Sequence, residues 1–171
     1  NIPSSIEFIG DSAFAGCDLE HIEIPSSVTY IGSDAFNYCT KLTAINVDTD
    51  NMKYSSDFGI LYDKEKETIN LVPCGVKGNF VIPSSVKKIG DYAFYNCDGL
   101  TSVEIPSSVN YIGYHAFYNC DSLTTIEIPS SVTYIEWYAF SECYNLDVVI
   151  DNSKDKFENV FSNCKSVTYL R

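Results

Sequence analysis

Cys17, Asp18, Glu20 and His21 bring a thiol, two carboxylates and an imidazole into one short stretch. These are the ingredients of a cysteine nucleophile with an adjacent base. The surroundings argue against that use. A reactive thiolate wants an accessible, electropositive setting, and this chain carries a formal net charge of −12, with 23 Asp and Glu against 11 Lys and Arg. Nor do the seven cysteines read as a zinc centre: no pair of C-x-x-C units exists, and the two histidines, His21 and His115, occupy unrelated positions. Carboxylates such as Glu104 and Glu127 would give calcium too few of the six or more oxygens it takes. No G-x-S-x-G, P-loop or dinucleotide fingerprint appears. The expectation is a chain with no catalytic residue, no cofactor and no resident metal. Its acidity disfavours nucleic acid and anionic membrane surfaces as partners. No apolar run approaches the ~20 residues that span a bilayer, so membrane insertion is not expected.

What positions these side chains is a repeat. "IPSSV" stands at 24–28, 82–86, 105–109 and 128–132, with "IPSSI" at 2–6. Ile82, Ile105 and Ile128 recur at a spacing of 23 residues. The apolar columns keep step: Val109, Ile112, Ala116, Phe117, Cys120, Leu123 and Ile126 match Val86, Ile89, Ala93, Phe94, Cys97, Leu100 and Val103. A fixed short period is the mark of a solenoid, in which a unit too small to bury its own apolar face stacks on its neighbours.

Each unit has a physical reading. "LTTIEI" (123–128) alternates, with Ile126 and Ile128 on one side and Glu127 on the other, which predicts a short strand with one buried face. Proline offers no N–H to a ladder and holds its predecessor extended, so "IPSS" ends the strand. The serine side chains are expected to accept from the turn's backbone donors. Val109 and Ile112 then point inward again, and Ala116 and Phe117 fill the far wall. Successive strands should lie parallel, ~4.8 Å apart.

The pattern C-x-x-L-x-x-I-x-I-P-x-S-V-x-x-I-x-x-x-A-F resembles the BspA-like (type 5, Treponema pallidum-type) leucine-rich repeats. About five units between Ile2 and Cys143 carry it. A degenerate sixth keeps Ile150, Phe157, Val160, Phe161, Cys164, Val167 and Leu170, but "IDNS" replaces the proline corner. The resemblance implies a leucine-rich-repeat solenoid: a curved right-handed coil with a parallel sheet on its concave face and an irregular or short-helical convex side. It also implies a bacterial cell-surface or secreted protein that binds a host or neighbouring-cell protein or glycan, or else a spacer that displays another domain. Residues 1–171 are read as one such domain out of a longer array, with covered ends, which leaves end-to-end self-association open.

One stretch breaks the period. Residues 48–81 form an irregular unit in which Gly59–Tyr62 and Thr68–Val72 flank a charged tip, the expected form being a hairpin protruding from the solenoid. It reads either as a structural insert or as a binding arm. Six cysteines (Cys17, Cys39, Cys97, Cys120, Cys143 and Cys164) share one column. Stacked neighbours would sit within disulfide range, but parallel Cβ vectors give poor bridge geometry. Buried free thiols are expected, as in the ladders of leucine-rich repeats, with Cys74 outside the ladder and partnerless.

Two exposed surfaces remain as candidates. On the sheet, Glu23, Asn46, Ser102, Glu104, Thr125 and Glu127 project outward, with Glu104 and Glu127 side by side. They form either a solvated face or an acidic, hydroxyl-rich surface for a basic partner. The second set is aromatic: Tyr30, Tyr111 and Tyr134 in one column, Tyr92, His115 and Tyr138 in another, Tyr114 and Trp137 in a third, Tyr95 and Tyr118 in a fourth. Tyrosine is favoured at interfaces, yet a repeated column also stacks for structural reasons. Tyr111, Tyr134 and Trp137 are the aromatic candidates for partner contact.

Overall fold

The computed structural model describes residues 1–151, 157 and 159–170. Their strands are β1 (Phe8–Ile9), β2 (His21–Ile24), β3 (Tyr30–Ile31), β4 (Ala44–Val47), β5 (Tyr54–Asp57), β6 (Ile60–Asp63), β7 (Thr68–Leu71), β8 (Gly78–Val81), β9 (Lys88–Ile89), β10 (Leu100–Glu104), β11 (Tyr111–Ile112), β12 (Thr125–Ile128), β13 (Tyr134–Ile135), β14 (Asp147–Ile150) and β15 (Ser166–Tyr169). The chain winds through about 7 turns of a β-solenoid. One front sheet runs β8–β10–β12–β14–β15, all parallel, and β2–β4 form a separate parallel pair. Isoleucines alternate inward as the pattern requires: Ile126 and Ile128 are buried while Thr125 and Glu127 are exposed.

The period predicted the front strands but not a second sheet behind them. The dipeptides after each corner pair in parallel as β1–β3 and β9–β11–β13, with Ile89, Ile112 and Ile135 in register. Two residues are too short for alternation to register as a strand. The corner also works differently from expectation. Its backbone donor is satisfied by the proline carbonyl, as in Val109 N–H to Pro106 O (3.1 Å) and Val132 N–H to Pro129 O (3.0 Å). In coils 2 and 6 the second serine instead donates to the coil before it, Ser27 Oγ to Ile6 O (2.6 Å) and Ser131 Oγ to Val109 O (2.8 Å), whereas Ser108 Oγ in coil 5 is buried without a partner among the described residues. The corner therefore ties neighbours together as well as turning the chain.

From the back sheet the chain crosses to the front through tight turns. Among the described residues this side carries no helix, which corrects the short-helical expectation. Alanine and phenylalanine form its inner wall: Phe94, Phe117, Phe140 and Phe161 stack at centroid distances of 4.5, 4.9 and 5.5 Å. The N–H groups of Phe14, Phe94, Phe117 and Phe140 reach the next coil's wall, as in Phe117 N–H to Ala139 O (2.6 Å).

The irregular unit does not protrude. β5 and β6 form an antiparallel hairpin, β6 pairs antiparallel with β7, and β7 pairs parallel with β9, so the hairpin extends the back sheet. Ile60, Leu61 and Tyr62 are all buried. Ile60 and Tyr62 face the large core of the later coils, and Leu61 faces the smaller core of the first two. The strand is thus a partition with two apolar faces. At the hairpin bend Gly59 has φ +79°, and a Cβ there would lie 2.8 Å from Ala44 Cβ, so neither the conformation nor the space admits another residue.

Residues 68–81 are themselves a shortened coil. Ile69 pairs with Ile89 in the back sheet, Phe80 pairs with Val103 in the front, and Val72 N–H reaches Ala93 O (2.7 Å) as a wall phenylalanine would. We therefore number the coils 1 (2–23), 2 (24–47), 3 (68–81), 4 (82–104), 5 (105–127), 6 (128–150) and 7 (151–170). The Asn152 and Ser153 of the altered last corner lie outside the described residues.

Candidate partner-binding surface

The thiols pack within the stack and hydrogen-bond from coil to coil. All seven cysteines are free. Cys39, Cys120, Cys143 and Cys164 donate to the wall carbonyls of the preceding coil: Phe14 O (2.9 Å), Phe94 O (3.1 Å), Phe117 O (2.9 Å) and Phe140 O (3.1 Å). Cys74 is not an outsider. It supplies the ladder's rung in coil 3, donating to Tyr95 O (3.4 Å) and meeting the thiol of Cys97. Burial pushes the Cys39 thiol up and Cys164 to about 12. Contact with Cys74, then burial, raises Cys97. His21 projects from the front sheet, exposed.

On the front sheet the predicted residues fall where expected, but several are already engaged with one another. Asn46 Nδ2 donates to Glu23 Oε1 (2.8 Å). Ser102 Oγ donates to Asn79 Oδ1 (2.7 Å), and Asn79 Nδ2 donates to Glu104 Oε1 (3.2 Å). Ser102 lies opposite Thr125, a register that carries Glu104 alongside Glu127. The structure does not join these into one surface, because Glu23 and Asn46 sit on the β2–β4 pair and the rest on the larger sheet.

The aromatic columns separate into two places. On the back sheet Phe8 stacks on Tyr30 (4.4 Å) and Tyr111 on Tyr134 (5.4 Å), each within 10° of parallel. Lys88 Nζ stands 4.4 Å over the Tyr111 ring, and Tyr111 Oη donates to Glu136 Oε1 (3.0 Å). The other columns converge on the turn side. His115 is the hub, with ring centroids 4.0 Å from Tyr114, 4.7 Å from Tyr118, 5.4 Å from Tyr92 and 5.5 Å from Tyr138. Tyr95 stacks on Tyr118 (5.3 Å), and Tyr38 joins from coil 2 through a hydroxyl contact to Tyr95 (2.9 Å). Coil 3 is too short on this side to keep them apart. Trp137, 64% exposed, stands in the column of Tyr114 at the edge of the patch. Burial lowers the His115 pKa, so the ring is neutral at pH 7, and its Nδ1 is buried without a hydrogen-bond partner. Burial first, then the Tyr38 hydroxyl, pushes Tyr95 strongly up.

The backbone under this patch is strained. Tyr92, His115 and Tyr138 have φ of +57°, +51° and +59°, a left-handed conformation that costs a bulky residue about 1–2 kcal/mol. The equivalent positions in coils 1 and 7 use Ser12 and Asn159 at φ +54° and +57°. Gly90 and Gly113 open the turns of coils 4 and 5, but no glycine or asparagine holds the left-handed position itself in coils 4–6, so the sequence hid it.

The open end of coil 1 holds an apolar hollow of about 450 Å³ lined by Ile2, Ile6, Phe8, Phe14, Leu19 and Ile22. Asn1, His21 and Glu23 add polar groups to this lining. Among the described residues no group of three or more His, Cys, Asp or Glu is placed to hold a metal.

Comparison with known proteins agrees with this architecture. The sequence profile of the family described as "BspA type Leucine rich repeat region" matches residues 1–71 and 74–171 in 6 copies. No curated protein matches at a significant level. A leucine-rich repeat protein of Eubacterium ventriosum superposes with a TM-score of 0.87 at 29% identity, covering 98% of this chain and 53% of the other. A leucine rich cell surface protein of Faecalibacterium prausnitzii gives 0.75 at 33% identity, covering 98% and 52%. The pneumococcal vaccine antigen PcpA shares the fold, with a TM-score of 0.75 at 23% identity over 96% of this chain and 46% of that one. This chain thus spans about half the length of these structures. With the repeat columns, the two sheets and the profile in agreement, the chain belongs to the BspA-type leucine-rich repeat family.

Proposed function

We propose that this chain is a non-catalytic recognition module of a bacterial cell-surface or secreted protein, holding a macromolecular partner against the side of the solenoid. The observation that carries this reading is the distribution of large side chains. Wall phenylalanines, core isoleucines and thiols are consumed internally, whereas Tyr38, Trp137 and Tyr138 stand 53%, 64% and 39% exposed on one rigid face. Exposed aromatic residues on a rigid scaffold are what protein interfaces use as anchors. The Faecalibacterium relative, named a cell surface protein, supports the location. A second reading, a spacer that displays another domain, draws on the front sheet, where Glu23, Asn46, Asn79 and Glu104 satisfy one another.

Titrating fluorescently labelled protein onto intact bacterial and epithelial cells separates the two readings. A recognition module binds saturably, and prior protease or glycosidase treatment of the cells removes the sites. Linear, unsaturable uptake on every surface would favour the spacer.

A further inference from the structure

We propose that the turn face of coils 4–6 is a docking surface for a lysine- or arginine-bearing segment of a protein partner. This rests on the reading of the chain as a recognition module and adds the face and the chemistry.

The fold does not need these rings. The wall beneath them is built from Ala93, Phe94, Ala116, Phe117, Ala139 and Phe140, all buried. Tyr92, His115 and Tyr138 occupy left-handed positions that Ser12 and Asn159 fill elsewhere in the same chain. Strain retained at a surface, where smaller residues serve the turn better, points to use of the side chain.

Charge selects the partner. Residues 89–151 contain no lysine or arginine. On the same coils stand Asp91, Asp98, Asp121, Glu136 and Glu142. Burial first, then neighbouring charges that include Asp34 and Asp91, raises the Tyr92 pKa, and burial followed by Glu142 raises that of Tyr118, so these carboxylates lie near the rings. Burial keeps the one local base, His115, neutral at pH 7. Electron-rich ring faces bordered by carboxylates attract a cation.

The chain contains a small version of the same contact. On the adjoining back sheet Lys88 Nζ lies 4.4 Å over Tyr111, whose hydroxyl donates to Glu136 at 3.0 Å. The turn face repeats ring and carboxylate, and among the described residues no lysine stands over its rings. Neutral sugars would be better served by coplanar rings; here Tyr95 and Tyr118 are parallel to within 10°, but the rings around them are crossed: 89° for Tyr38–Tyr95, 79° for Tyr92–Tyr114 and 65° for His115–Tyr118. Crossed rings make recesses for a compact head group instead of a flat platform.

Trp137 is the only tryptophan and stands at the edge of this surface, so its emission reports occupancy. The test is a titration with a glycine-spaced arginine peptide, its isosteric but uncharged citrulline counterpart, and neutral chito- and cello-oligosaccharides. The arginine peptide should change Trp137 emission saturably, and the citrulline peptide should not. Tyr114→Leu and Tyr138→Leu, which leave the net charge untouched, should weaken binding about tenfold or more. Glu104→Gln and Glu127→Gln on the front sheet should leave it within about twofold. Should a tyrosine variant fail to fold, Asp91→Asn and Glu142→Gln test the same face from its carboxylates and should weaken binding. Three results would overturn the proposal: no binding of the arginine peptide, equal affinity in the aromatic variants (diffuse attraction to an acidic protein), or a Trp137 response to oligosaccharide alone. Each leaves the recognition-module reading standing, because that reading fails only if the labelled protein binds no cell surface saturably.

Discussion

Truncating Phe117 to alanine probes the stack at its centre. The ring is fully buried and lies 4.5 Å from Phe94 and 4.9 Å from Phe140, nearly parallel to both. A buried Phe→Ala change costs about 3–5 kcal/mol through lost transfer energy and the cavity left behind. Here two stacked pairs, worth about 0.5–1.5 kcal/mol each beyond area, vanish together, which puts the site at the upper end, about 4–5 kcal/mol. That is a large share of the 5–15 kcal/mol typical of a whole domain. Phe14 occupies the same column in coil 1, but it is half-buried and has one stacked neighbour, Phe36 at 5.3 Å. Its truncation should cost about 1–2 kcal/mol. Urea unfolding followed by both far-ultraviolet circular dichroism and Trp137 emission measures the two variants. Equal costs, or a loss under about 2 kcal/mol at Phe117, would refute the argument that each coil is held mainly by its neighbours.

Other consequences are equally concrete. Asn51 is fully buried, its Nδ2 donating to Pro25 O (3.0 Å) and Val28 O (2.9 Å) while its Oδ1 accepts from Lys53 N–H (2.9 Å) and Tyr54 N–H (2.8 Å). Asn51→Asp removes two donors and buries a charge, so it should cost about 3 kcal/mol or more by urea unfolding; a change within 1 kcal/mol would remove this amide from the account. Native-state alkylation read by mass spectrometry should label Cys74 first, since it is half-buried and Cys97 lowers its pKa, while Cys120 stays protected. Comparable labelling of Cys120 would contradict the buried ladder. Alkaline pH should destabilise the fold. Burial raises Cys164 from 9.0 and Tyr62 from 10.0, each to about 12, so the unfolded chain releases these protons first. Their stabilising contribution is fully present below pH 9 and is lost as pH rises towards 12; thermal melts that are flat from pH 8 to 11 would rule it out.

Much of this architecture was legible because its causes are local and repeated. The Ile-Pro corner, the Ala-Phe wall and the cysteine column each recur, and each has one physical job. What escaped notice was what departs from the period. Coil 3 substitutes Val72 for a wall phenylalanine and reaches Cys74 two residues later, where the other coils take three. It therefore read as part of an insert, and Cys74 as a stray thiol. β6 looked like one side of an exposed hairpin because a charged turn stands beside it, although the unbroken apolar run Ile60-Leu61-Tyr62 is what a strand covered on both faces shows. The back strands after the proline corners, β1, β3, β9, β11 and β13, are two residues long, too short to alternate. The aromatic columns were visible, but not their convergence around His115. That depends on left-handed turns at Tyr92, His115 and Tyr138, where no glycine holds the left-handed position, and on a short coil 3 that lets Tyr38 reach Tyr95.

Native-state hydrogen exchange, read residue by residue, addresses coil-on-coil stacking most directly. The amides of Phe94, Phe117 and Phe140 reach across to Ala116 O (2.7 Å), Ala139 O (2.6 Å) and Val160 O (3.0 Å). They should exchange only through the largest opening of the chain, with protection falling away towards the Phe14 amide in coil 1. Fast exchange at Phe94 and Phe117 alongside a protected Phe14 would contradict it.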